Sequence, residues 1–188
     1  MIALLASIVL AQLPDRYLSP SQAVERVLPP PWREVVTSPE SVTFEGLVPR
    51  TKQSREVKVR WRRVFDEEPE LVSAVQHALL DGASYRILGP GFASISLCGP
   101  PIPNLRLTFT RATRRVTAEV CFGCGTLWLR FDENGRQLRD DSFSIEQNQW
   151  LGVLAPLVPD DDYVAQRKRR HDEIEERSRR RVADAGTP

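Results

Sequence analysis

The sequence predicts an α+β fold: an antiparallel meander sheet with two or three packed helices and an extended charged helix at the C-terminal end. Three observations carry that expectation. Alternating apolar and polar residues recur through the second half of the chain, as in Leu105, Leu107 and Phe109 or Val116, Ala118, Val120 and Phe122, the period of a half-buried strand. Tight links such as Asn134-Gly135 join these runs and favour antiparallel neighbours. Two other segments, Leu71–Leu79 and Trp150–Val158, carry their apolar residues at helical spacing.

Composition bounds the rest. The chain has 188 residues, 26 Lys and Arg against 25 Asp and Glu, and 41% hydrophobic residues. That is enough for one domain with a core, plus extra segments at the ends. No stretch supplies the ~20 consecutive apolar residues of a spanning helix, which excludes a polytopic membrane protein. A net charge of +1 gives no overall pull toward nucleic acid or an anionic membrane. Three cysteines are too few for a disulfide scaffold, and an odd number cannot all pair within one chain.

Residues 1–11 read MIALLASIVLA, an uncharged run that stops at Gln12-Leu13-Pro14-Asp15. Val9 and Ala11 fit the small-residue rule of a signal-peptide cleavage site, although no Lys or Arg precedes the run and it is short for its class. The run has no polar face, so a soluble domain would have to bury it on all sides. A signal peptide over residues 1–11 and export, to the periplasm or beyond the cell, are therefore expected. Gln12 rather than a cysteine stands at the cut, so the mature product is expected to carry neither lipid anchor nor transmembrane span.

Residues 12–39 read as a short capped helix and a proline-rich linker. Ser19-Pro20-Ser21-Gln22 supplies a capping box with proline in the first turn, and Ala23, Val24, Val27 and Leu28 share one helical face. Pro29-Pro30-Pro31 ends that helix, and Trp32 falls in the linker.

The α+β domain is expected over residues 40–159. Val42 and Phe44 begin a short strand. Over Arg55–Phe65, Val57, Val59, Trp61 and Phe65 are read on a buried face, with Lys58, Arg60 and Arg62 on a wet one. Asp66 can cap a helix through Leu71, Val75, Ala78 and Leu79, which Gly82 stops. Strands Tyr85–Leu88 and Phe92–Cys98 flank a Gly89-Pro90-Gly91 turn, and four further strands follow to Leu138. Ser144-Ile145-Glu146-Gln147 offers a second capping box, and Pro156 should kink the helix it starts. Residues 160–188 hold eight Lys and Arg and eight Asp and Glu, with Glu173–Arg177, Glu175–Arg179 and Glu176–Arg180 four apart. That is a neutral, charged tail, read as a solvated or partly disordered helix.

The chemistry-bearing cluster is Cys121-Phe122-Gly123-Cys124-Gly125, with Cys98 upstream. C-x-x-C-G is the spacing of a zinc knuckle, where a glycine lets backbone amides face the thiolates. A closed site would need Cys98 as third ligand and one of two histidines, His77 or His171, as fourth, and His77 is a weak candidate. In an exporting compartment oxidation competes, so a disulfide involving Cys98, Cys121 or Cys124 is the other reading, ahead of zinc. An even number of strand crossings between Cys98 and Cys121 should bring all three sulfurs to one end of the sheet. Thioredoxin-type catalysis is disfavoured, because Cys124 leads into the alternating strand Thr126–Phe131 rather than a helix. There is no G-x-S-x-G, P-loop, H-E-x-x-H or G-x-G-x-x-G signature, so catalysis is not the expectation.

A second, non-catalytic candidate is a cationic sheet surface made by Lys58, Arg60, Arg62, Arg106 and Arg115, able to hold phosphate groups or an anionic polymer. Trp128 on the same face would add base stacking, but export makes nucleic acid an unlikely partner. The chain also resembles small, mostly exported bacterial proteins of uncharacterised function with a C-F-x-C strand motif. The resemblance rests on Cys98-Gly99-Pro100-Pro101, Val116–Cys124, Leu127–Phe131 and Trp150–Pro159, about a third of the chain. Where those proteins carry Arg-His after the upstream cysteine motif, this one has Pro101-Ile102-Pro103, which weakens a histidine-assisted metal site. The resemblance implies no activity. The expected function is a small exported binding or accessory protein without a cofactor, and the alternative is a cysteine-ligated zinc or thiol-redox protein.

Overall fold

The computed structural model describes residues 17–48, 58–65, 69–87, 104–157 and 162–185. The expected signal peptide, the Gly89-Pro90-Gly91 turn, the strand Phe92–Cys98 and Cys98 itself lie outside the described residues.

The fold is α+β, as expected. Two helices, α1 (Pro20–Val27) and α2 (Pro30–Thr37), precede strands β1 (Ser41–Val48) and β2 (Lys58–Val64). Helix α3 (Pro69–Leu80) and a 3-10 turn (Gly82–Ser84) lead to β3 (Leu105–Arg111), β4 (Arg114–Cys121), β5 (Thr126–Glu133) and β6 (Arg136–Ser144). Helices α4 (Gln147–Leu157) and α5 (Asp162–Ala185) follow. The strands form one sheet, ordered β2-β1-β3-β4-β5-β6, with every neighbouring pair antiparallel. From β3 onward it is the expected meander. The exception is β1, which lies between β2 and β3; after β2 the chain runs through α3 to the far edge of the sheet, where Tyr85 bridges Ile145 just beyond β6.

One face of the sheet is the core. Phe44, Leu107, Phe109, Ala118, Leu129 and Phe131 are fully buried there, and Val27, Leu28, Val36, Leu79, Trp150 and Leu154 close over them from the helices. Their alternation along each strand assigns the intervening residues to the opposite face.

Four local expectations need correction. The prolines that end α1 also begin α2, so Trp32 sits in a helix rather than a linker and stacks 5.3 Å from Phe131. Proline suits a first helical turn, whose N–H groups have no intrahelical partner. Val59 is not buried: it is 45% exposed, as Val64 is 55% exposed. β2 is an edge strand, and a bulge at Gly46/Leu47 steps the register from Trp61 to Val59, so only Trp61 and Phe65 reach Phe44. Tyr85 forms a single bridge with Ile145 rather than opening a strand. The Ser144 box does not start α4: Ser144 stays in the ladder opposite Thr126, and the helix begins at Gln147. The first box does form, with Gln22 Oε1 accepting from the Ser19 amide at 3.1 Å.

Helix α5 is docked at its start and bare at its end. Val164 is buried in the core cluster and His171 is half-buried, whereas residues 172–181 are all exposed. Among the described residues, no helix is long and apolar enough to cross a membrane.

Candidate functional site

The face of the sheet away from the helices is polar and laid out in rows by strand register. One row runs Arg62, Glu45, Arg106, Glu119, Trp128 across β2, β1, β3, β4 and β5. The next runs Thr43, Thr108, Thr117, Arg130, Asp140, and the third Thr110, Arg115, Asp132, Gln137. Cross-strand neighbours lie ~5 Å apart, so opposite charges at adjacent positions meet directly.

They do. Arg106 Nη1 is 3.1 Å from Glu45 Oε2 and its Nη2 is 2.7 Å from Glu119 Oε1, one guanidinium bridging two strands. Arg62 reaches the other oxygen of Glu45 at 3.4 Å, and Arg115 lies 3.3 Å from Asp132. Glu45 and Glu119 are only 8% exposed and Asp132 5%, unusual for carboxylates on a face against which none of the described helices packs. Charged groups that sheltered persist because each is paired.

The rows floor a groove of about 520 Å³, whose lining includes four arginines (Arg62, Arg106, Arg115 and Arg130) and two carboxylates (Glu45 and Asp132). Arg130 differs from the other three. Its Nε is buried and has no hydrogen-bond partner among the described residues. The Asp140 carboxylate opposite it on β6 is exposed and makes no bond to it.

Of the five cations expected on this face, Arg62, Arg106 and Arg115 come together in the groove, while Lys58 and Arg60 lie past the β2 bulge and do not line it. The three that gather each lie within ion-pair distance of a carboxylate, so the face is an ion lattice rather than a cationic surface. Sequence reasoning missed Glu45, Glu119, Asp132 and Arg130. Their signal was the same alternation that marked the core, read on the other parity.

The cysteine turn lies at the far end of β4. Cys121 is buried at the end of β4, and the Cys124 amide donates to its Sγ at 3.3 Å across the turn. The two are not bridged to one another. His77 sits exposed on α3, and it is His171 that shares a cavity of about 380 Å³ with Cys124. Across that cavity Arg86 bonds Glu146; this hydrogen bond, with the Glu146 charge behind it, pushes the guanidinium pKa up. Among the described residues, no three His, Cys, Asp or Glu side chains gather as a metal would need.

No family model matches the chain, and neither a curated protein nor a solved structure is similar to it.

Proposed function

We propose that this is a small exported protein that binds rather than catalyses, with the polar face of its sheet as the ligand surface. The observation that carries the reading is the groove floored by sheltered, arginine-paired carboxylates. A rigid sheet holds those groups in fixed positions, which lowers the ordering cost of binding a polar ligand. Guanidinium, carboxylate and hydroxyl groups so paired bind by hydrogen bonding, and they supply neither a nucleophile nor an unpaired base.

A screen of polar small molecules against isotopically labelled full chain tests the reading. Amide shifts confined to β1, β3, β4 and β5 around the groove are expected. Shifts confined to another surface, or turnover of any ligand in the screen, would overturn it. Export rests on residues 1–11, and an intact mass lacking them in protein from the native host is the expected result.

A second reading is favoured by one specific contact, the Cys124 amide turned toward Cys121 Sγ, an arrangement suited to a thiolate in a metal or redox site. Thiol titration of unfolded, unreduced protein alongside metal analysis decides it. Three thiols with stoichiometric zinc mark a Cys98, Cys121 and Cys124 metal site, and one thiol without metal marks a disulfide. Three thiols and no metal exclude both.

A further inference from the structure

We infer that the groove takes a sugar bearing a carboxylate or phosphate group, with the anion seated on Arg130 and the hydroxyls along Thr117 and Thr108. This rests on the sheet face being the binding surface, and names the chemistry that surface selects.

The middle row of the floor differs from its neighbours. The rows on either side are closed by ion pairs, whereas between them Thr108 and Thr117 stand beside Arg130 on adjacent strands. Arg130 is the lining arginine with a buried nitrogen that nothing among the described residues satisfies. A buried guanidinium N–H left unmade is costly, and a two-oxygen anion matches its fork. Three of the four lining arginines are already held by Glu45, Glu119 and Asp132, so Arg130 is the one whose side chain is left for an incoming anion.

The rest of the lane fits a hydroxylated ligand. From Thr108 to Arg130 is two interstrand steps, about 10 Å, the span of one sugar ring with its charged substituent. Threonine hydroxyls both donate and accept, as sugar hydroxyls require. Trp128, two residues from Arg130 on the same face, stands just beyond the groove, beside a small crevice that it shares with Thr117, Glu119, Arg130 and Asp140, so its indole reports on a ligand seated at Arg130. Inorganic phosphate would use the arginine and leave the threonine lane empty.

The test is titration of the full chain with glucuronate, glucose 6-phosphate, glucose and inorganic phosphate, each to ~10 mM, following amide shifts and indole fluorescence. Binding by one or both charged sugars is expected, at least about tenfold tighter than glucose or phosphate. Which of the two binds more tightly identifies the anion as carboxylate or phosphate. Arg130→Gln should weaken that binding by about tenfold or more, and Arg130→Lys, which keeps the charge without the fork, should recover only part of it. Lys168→Gln, on α5, should leave it unchanged. Glucose and inorganic phosphate binding as well as the charged sugars, or no shift from any probe, overturns the inference; if another polar ligand still maps to the groove, the binding-face reading survives. Charged sugars binding with shifts away from the groove overturn both.

Discussion

Gln147 and His171 are joined by a 2.9 Å hydrogen bond between Oε1 and Nε2, in which the ring N–H donates. That bond ties the first turn of α4 to the middle of α5, 24 residues on. Gln147 is placed for it by Gly125, over which its side chain lies. Gly125 has a φ of +62°, and a Cβ added there would come within 2.6 Å of Gln147 Nε2. The turn after the cysteines, the start of α4 and the docked end of α5 are thus one mechanical unit.

Gly125→Ala should therefore do more than strain a turn. The left-handed backbone alone costs about 1–2 kcal/mol in an alanine, and the new methyl must also displace Gln147. The expected outcome is a thermal midpoint lower by roughly 3–8 °C, with a moved His171 ring resonance. A lowered midpoint with an unmoved ring would show that Gln147 does not depend on Gly125.

The division of α5 into docked and bare parts predicts two truncations with different outcomes. Among the described side chains, deleting residues 173–188 removes only exposed ones, those of 173–181, and pairs such as Glu175–Arg179, each worth ~0.2–0.5 kcal/mol, so the midpoint should move by no more than ~2 °C. Deleting residues 162–188 also exposes the site that Val164 fills, at about 1.5–3 kcal/mol, and should lower the midpoint by roughly 3–10 °C. Equal effects from the two deletions would show that α5 does not dock.

Tyr85 makes stability fall in alkali. Its buried hydroxyl donates to the Leu79 carbonyl at 2.8 Å, and burial first, the Asp81 carboxylate second, push its pKa far above the ordinary tyrosine range. An unfolded chain releases that proton near pH ~10 while the folded chain keeps it. The stabilisation is complete below pH ~10 and is lost as pH rises beyond it. Tyr85→Phe should cost about 1 kcal/mol at neutral pH and flatten the decline above pH ~10, read by denaturant unfolding across pH. An unchanged alkaline slope in the variant would refute it.

Arg106 holds Glu45 and Glu119 together. Removing one partner of a fully buried pair costs ~3–5 kcal/mol, but the Arg106 side chain is 24% exposed, so solvent screens part of this and Arg106→Ala should cost about 1–3 kcal/mol. Arg106→Met combined with Glu45→Gln and Glu119→Gln should recover most of that, because no sheltered charge is left unmatched; Arg62, which loses Glu45, is largely exposed to solvent. If the triple variant is no more stable than the single one, the lattice is not what Arg106 supports.

The strands and most helices were legible because each is written in a local period: Leu105–Phe109 and Val116–Val120 alternate, and Val75, Ala78 and Leu79 recur at helical spacing. Failures came where two local signals competed. Three successive prolines stop a helix and also start one, and only the packing of Trp32, Val35 and Val36 selects the second outcome. Ser144 could cap a helix or extend a strand, and the ladder to Thr126 held it in the strand. In Arg55–Phe65 the alternation was real, but burial on both sides depends on neighbours, and an edge strand has only one.

By itself, the sequence determined the α+β class, the antiparallel run from β3 to β6, the core faces of β1, β3, β4 and β5 and the charge pattern of α5, because all of these follow from spacing along a few residues. The tertiary structure alone decided that β1 lies between β2 and β3. That placement sets Glu45 beside Arg62 on one side and beside Arg106, 61 residues away, on the other. It turns arginines that read as a cationic surface into a paired lattice and singles out Arg130. Strand order is settled by burial of whole faces over long sequence separations, and no local pattern of residues encodes it.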